Sequence, residues 1–190
     1  FNVVTGPGDT AAAMVRHPYT DKVAFTGRGN VGKHILANAA PGMKRVQLEL
    51  GGKSPSIVFD DVSDVDALGR YCMSLVTMGL TGQVCSTQTR AIVHRKIYDR
   101  FVAAAQAQTA DVKYGHPFDP TCTSAPLITP NAADRVIHLL EGALESGAKL
   151  VTGGGRVTSL PQGNFIEPTL LADVDNAWPI AQEELFGPVL

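Results

Sequence analysis

Three cysteines, Cys72, Cys85 and Cys122, are the strongest potential nucleophiles in this 190-residue chain. A thiolate is polarisable, attacks a carbonyl carbon and leaves readily from a thioester. An isolated cysteine is more often a small buried hydrophobe. That reading suits Cys72, inside an apolar helical run, and Cys122, in a turn-rich stretch. Cys85 differs because it closes Gly82-Gln83-Val84-Cys85. Among the acids, Glu49 stands between Leu48 and Leu50 and before Gly51-Gly52-Lys53-Ser54-Pro55. It reads either as a general base that activates water or as the polar face of a strand. Glu183 and Glu184 precede Leu185-Phe186-Gly187-Pro188. A carboxylate there could accept two hydroxyl hydrogen bonds or be a solvated loop charge. The odd number and wide spacing of the cysteines do not suggest a disulfide framework or a zinc knuckle. His17, His34, His94, His116 and His138 form no HxH or HxxxH pair beside an acid, so no metal site is expected.

Two glycine turns match GxGxx[GA]: Gly6-Pro7-Gly8-Asp9-Thr10-Ala11 and Gly27-Arg28-Gly29-Asn30-Val31-Gly32. Glycine at such a turn lets the backbone approach a phosphate, whose charge meets a helix N-terminus. A dinucleotide site also wants an acid about 20 residues on, for the ribose. Thr26 and Gln47 occupy those positions, so neither turn completes the fingerprint. Each can equally be a tight strand-to-helix connection.

Positioning these residues requires alternating strands and helices. Residues 2–5, 22–26 and 45–50 are β-rich; residues 11–16, with Asp9-Thr10 as cap, and 31–40 are helical. This βαβαβ order implies a parallel sheet with right-handed crossovers. Beyond Gly51, strands are expected at 56–59, 90–94, 149–152 and 167–171, and helices at 65–79, 97–113 and 131–146. The fold class is therefore α/β, with a boundary near Gly51.

Hydrophobic residues make up 44% and charged residues 18%, as in a globular protein. The net charge of −2 argues against nucleic acid or an anionic membrane as partner. No apolar run approaches the roughly 20 residues of a membrane span, and no signal peptide opens the chain. The cysteine usage suits a reducing, cytoplasmic setting. Phe1 rather than Met opens the sequence, and residues 186–190 read as the lead-in to another element, so an internal piece of a longer chain is expected.

Taken in order, Phe25-Thr26-Gly27 with Val31-Gly32, Leu48-Glu49-Leu50-Gly51-Gly52-Lys53-Ser54-Pro55, Gly82-Gln83-Val84-Cys85 and Glu183-Glu184-Leu185-Phe186-Gly187-Pro188-Val189 closely resemble the aldehyde dehydrogenase superfamily. The resemblance runs from the first residues to the last. It implies the later part of a Rossmann-like NAD(P)-binding domain at residues 1–50. Most of an α/β catalytic domain would follow at residues 51–190. It implies Cys85 as nucleophile and Glu49 as general base. It also implies Glu184 on the nicotinamide ribose hydroxyls, Phe186 shaping that pocket, Leu50 meeting the nicotinamide amide, and Gly27 in the pyrophosphate turn. The cofactor would be NAD or NADP, the substrate a small aldehyde and the product a carboxylic acid, in a homodimeric or homotetrameric parent. Lys53 and Arg90 match positions often basic in the family, for catalysis or for structural ion pairing.

The sequence departs from the family pattern at two places. Arg28 stands where a phosphate-binding Ser is usual, and could itself meet the pyrophosphate or a 2′-phosphate. Leu80 stands where Asn is common. The family's oxyanion amide and its adenosine-ribose Lys and acid lie upstream of Phe1, so an incomplete cofactor site is expected. Two other readings stand beside oxidation to the acid. One is CoA-dependent acylation, in which relatives usually carry a non-acidic residue at Glu49. The other is an inactive fragment or scaffold, which would need neither Cys85, Glu49 nor Glu184.

Overall fold

The computed structural model describes residues 1–116 and 118–190. They divide into two compact units, Phe1–Gly51 and Gly52–Leu190.

In the first unit, helix α1 (Gly8–Arg16) precedes strand β1 (Lys22–Gly27), helix α2 (Gly29–Ala39) and strand β2 (Arg45–Leu50). The two strands pair in parallel from Lys22↔Arg45 to Gly27↔Leu50. α2 is the crossover between them and buries Ile35 and Ala39. Parallel neighbours need such a connection because a hairpin cannot reverse direction twice. A 3₁₀ turn, Ala40–Gly42, ends α2, with Pro41 and Gly42 stopping its continuation.

Residues 2–5 do not form the expected strand. Val3 and Val4 are exposed, and among the described residues β1 and β2 form a two-stranded sheet. A β-branched run holds an extended ladder only when a neighbour supplies its hydrogen bonds. The expected cap also moves: Pro7 is the N-cap of α1, without a side-chain bond. Asp9 lies inside the first turn, where its charge suits the helix dipole.

The second unit opens with strand β3 (Pro55–Val58), parallel to strand β4 (Arg90–Val93) and linked through helix α3 (Val65–Thr77). Asp64 caps α3 by accepting from the Ala67 N–H at 2.9 Å. Helix α4 (Tyr98–Gln108) packs on α3, and Met73, Val76, Phe101 and Ala105 are buried together. The 97–113 helix read from the sequence is thus shorter. Thr109 Oγ1 donates to the Gln106 carbonyl (2.8 Å), and a 3₁₀ turn takes over at Thr109–Asp111.

Helix α5 (Pro130–Glu145) is capped by Thr129, which accepts from the Ala132 N–H at 3.1 Å. Its inner face, Ala133, Val136, Leu140 and Ala143, joins Ile166, Leu185 and Val189 in a second core. Strand β5 (Lys149–Thr152) runs antiparallel to strand β6 (Leu170–Ala172). The strand expected over 167–171 starts late because Pro168 has no N–H for the ladder. Thr169 instead bridges Val189 in parallel. A one-turn helix, α6 (Pro179–Gln182), is too short to show periodicity in the sequence.

Candidate active site

The sequence-predicted residues fall into two sets. Gly27, Arg28, Glu49 and Leu50 belong to the first unit; Cys85, Glu184 and Phe186, with Lys53 and Arg90, belong to the second.

In the first unit, Gly27 and Leu50 are register partners at the carboxyl ends of β1 and β2, and Thr26 partners Glu49. Open parallel sheets bind ligands beyond the carboxyl ends of their strands. Glu49 is exposed there. Arg28 is the N-cap of α2, extended at φ −77°, and its side chain makes no cap bond. Asn30 Oδ1 accepts from the Val31 N–H at 2.9 Å. Helix and sheet approach closely at Gly32: a Cβ there would stand 3.1 Å from Leu50 Cδ2. The second glycine turn therefore has the strand, helix start and close packing that a phosphate turn needs. The first turn, without a strand before α1, lacks the first of these.

In the second unit, α3 ends at Thr77 and the chain runs through left-handed residues, Gly79 at φ 63°, Thr81 at φ 57° and Gly82 at φ 71°, before reaching Cys85. Thr81 is buried; its hydroxyl lies 3.1 Å from Ser124 Oγ, donates to the Ala125 carbonyl (2.9 Å) and accepts from the Ala125 N–H (2.8 Å). Gln83 acts as a clamp. Its amide nitrogen donates to the Leu80 (3.1 Å) and Pro126 (3.2 Å) carbonyls, and its oxygen accepts from the Ile128 N–H (3.0 Å). Cys85 follows in a turn closed by the Thr87 N–H on the Val84 carbonyl (3.2 Å), and is exposed. The other thiols differ. Cys72 is only 1% exposed, and burial pushes its thiol above the usual range against a hydrogen bond from Ser56. Burial, then the Asp119 charge, also push Cys122 up. Both shifts disfavour the reactive thiolate.

The segment carrying Glu184 and Phe186 is held against α5. Arg135 of α5 donates to the Leu185 carbonyl at 2.8 Å and to the Glu184 carbonyl. Leu185 is buried, Glu184 half-buried, and Phe186 exposed with a left-handed φ of 60°. A non-glycine residue in that region stores strain that the surrounding packing must offset. The same segment meets the cysteine loop: a Cβ on Gly82 would lie 2.2 Å from the Gly187 carbonyl oxygen. Within the second unit, then, the Gly-Gln-Val-Cys loop and the Glu-Leu-Phe-Gly segment lie backbone to backbone.

Lys53 and Arg90 do not form the ion pairs considered from sequence: among the described residues neither has a carboxylate within 4.0 Å. Lys53 Nζ donates to the Thr89 carbonyl (3.1 Å), and Arg90 Nε to the Lys53 carbonyl (2.7 Å). Burial, then the Arg90 charge, lower Lys53 to about 8, and Glu184 pulls the other way. The described residues contain no group of three or more His, Cys, Asp or Glu placed to hold a metal ion. None of their helices is long and apolar enough to cross a membrane.

Sequence reasoning singled out neither Gln83 as a clamp nor Arg135. Gln83 stands inside the Gly82-Gln83-Val84-Cys85 motif, but its three partners lie up to 45 residues away. Nothing in α5 distinguishes Arg135 from a solvated helix charge. Gln83→Leu is expected to destabilise the protein by about 1–2 kcal/mol, since three hydrogen bonds return to water. Denaturant unfolding measures it, and an unchanged midpoint would remove the clamp.

A sequence profile of the aldehyde dehydrogenase family matches residues 1–190. Betaine aldehyde dehydrogenase of Brucella ovis is 43% identical over 192 residues, covering 100% of this chain and 39% of that protein. The crystal structure of Mycobacterium tuberculosis aldehyde dehydrogenase complexed with NAD+ is 42% identical with a TM-score of 0.89, over 96% of this chain and 37% of that one. Gamma-glutamyl-gamma-aminobutyraldehyde dehydrogenase from Burkholderia cenocepacia gives 37% identity and a TM-score of 0.92, over 100% of this chain and 38% of that one. The chain thus spans about two fifths of the length of these relatives, and over its whole length it belongs to the aldehyde dehydrogenase family.

Proposed function

We propose that the protein containing this chain oxidises a small aldehyde to a carboxylic acid with NAD(P)+, through a thioester on Cys85. The observation that carries this reading is the exposed Cys85 thiol, in a loop packed against the Glu184–Phe186 segment while the other two thiols are disfavoured.

Cys85 Sγ attacks the aldehyde carbon to form a thiohemiacetal, and the Cys85 backbone N–H donates to the oxygen that gains charge. Gly27, Arg28, Leu50, Glu184 and Phe186 would hold the cofactor. The close Gly32–Leu50 packing at the start of α2 fits a phosphate turn. When bound, the nicotinamide supplies the hydride acceptor that takes the thiohemiacetal to the thioester. Glu49 then takes a proton from water, whose oxygen attacks the thioester carbon and releases the acid and the thiol. NAD is the cofactor held by the Mycobacterium tuberculosis relative, which favours NAD over NADP. All three cysteines are free, which suits a reducing cytoplasm. Kinship alone supports a homodimeric or homotetrameric parent.

Glu49→Gln tests the deacylation step. It is expected to lower steady-state turnover by about 10²–10⁴-fold while leaving a pre-steady-state burst of reduced cofactor. Loss of the burst together with turnover would remove Glu49 from deacylation. The acid at Glu49 also favours water over CoA as acceptor. Product analysis is expected to give free acid whether or not CoA is present, and an acyl-CoA product would reverse that choice.

A further inference from the structure

Thr81 is a β-branched residue in a conformation that suits glycine. It is 1% exposed and sits at a φ of 57°, between Gly79 and Gly82, which take the same left-handed region without a side chain to crowd the backbone. Such strain persists only where surrounding contacts over-determine it, and it gathers at sites whose geometry matters.

The hydroxyl supplies those contacts. Thr81 Oγ1 accepts from the Ala125 N–H (2.8 Å), donates to the Ala125 carbonyl (2.9 Å) and lies 3.1 Å from Ser124 Oγ. A hydroxyl has one proton to give, so Ser124 is the donor in the third contact. One oxygen thus exchanges both bonds with Ala125, as a residue of a neighbouring strand would. The segment it grips is itself fixed. The Thr123 and Ser124 N–H groups donate to the Lys113 carbonyl (3.0 and 3.1 Å), and the Leu127 N–H to the Asn164 carbonyl (2.9 Å). Gly79 adds a bond from its N–H to the Thr123 carbonyl (2.7 Å). Water competes at the half-buried Gln83 but not at the sealed Thr81, so the Thr81 bonds are the firmer hold.

We propose that Thr81 is a positioning residue for Cys85. Its hydroxyl pins the start of the cysteine loop to residues 123–127, and only Gly82, Gln83 and Val84 separate that pin from the thiol. The proposal rests on Cys85 as the nucleophile. A nucleophile reacts fast only when held at attack distance, and a displacement of about 1 Å costs on the order of 10²-fold.

Thr81→Gly accepts the left-handed φ and removes the hydroxyl. In the whole protein it is expected to slow first-turnover formation of reduced cofactor by about 10–10²-fold. NAD affinity, read by titration, should stay within a few-fold. Thr81→Ser keeps the hydroxyl and should keep the rate. Should Thr81→Gly not fold, Thr81→Asn, also tolerated at that φ, takes its place. A merely structural tie would lower Tm and leave the rate alone. An unaltered rate in a folded Thr81→Gly protein, or Thr81→Ser as slow as Thr81→Gly, would therefore overturn the assignment. Cys85→Ala is assayed beside them. Turnover retained there removes the nucleophile, and this proposal with it; turnover lost there with an unaltered Thr81→Gly rate removes the Thr81 assignment alone.

Discussion

Replacing Cys85 by alanine is expected to abolish aldehyde oxidation, by on the order of 10⁶-fold in kcat, the scale on which removal of a covalent nucleophile acts. Cofactor affinity should stay within a few-fold, because Cys85 is exposed at a turn. The effect is this large because no other thiol can substitute. Cys72 is sealed in the α3–α4 core, and burial pushes its thiol up. Burial, then the Asp119 charge, push the Cys122 thiol up. The measurement is steady-state turnover of the whole protein beside a titration of NAD binding. Substantial residual turnover with intact binding would mean that Cys85 is not the nucleophile.

The second large effect concerns stability. Gly82→Ala forces a Cβ to within 2.2 Å of the Gly187 carbonyl oxygen at a φ of 71°. The partner is backbone, so no side chain can swing aside. A left-handed non-glycine residue costs about 1–2 kcal/mol and overpacking about 1–3 kcal/mol, giving a loss of about 2–5 kcal/mol. Tm should fall by on the order of 10 °C. Gly79 supplies the control. Its φ of 63° is similar, yet a Cβ there meets nothing within 4 Å. Gly79→Ala should therefore cost only about 1–2 kcal/mol. Equal losses in the two variants would mean that the Gly82–Gly187 approach is not what sets the loop.

These effects show why some of the structure was legible and some was not. Arg45–Leu50 and Lys149–Thr152 fall where β-branched and alternating residues placed them, because local pattern and partner ladder agree. Residues 2–5 have the same local pattern and no partner, so the pattern alone misled. The end of α4 was set by one hydroxyl, Thr109, and the start of β6 by one missing N–H, at Pro168. Such single-atom decisions lie below the resolution of periodicity. At the candidate site, the motif residues could be named from the sequence, but not their supports. Gln83, Thr81 and Arg135 each act on chain 43 to 50 residues away. Lys53 and Arg90 offered a choice between catalysis and ion pairing, and among the described residues neither has a carboxylate within 4.0 Å. The fold buries Lys53 against a main-chain carbonyl beside Arg90.

The central claim is that the acyl group passes through Cys85. The Glu49→Gln protein, mixed with aldehyde and NAD, quenched in acid and digested, reports on it directly by peptide mass spectrometry. The expected result is an acyl adduct on the peptide carrying Cys85, formed with a stoichiometry approaching one per chain and absent without NAD. An adduct on the Cys72 or Cys122 peptide, or reduced cofactor produced with no acyl adduct anywhere, would contradict it.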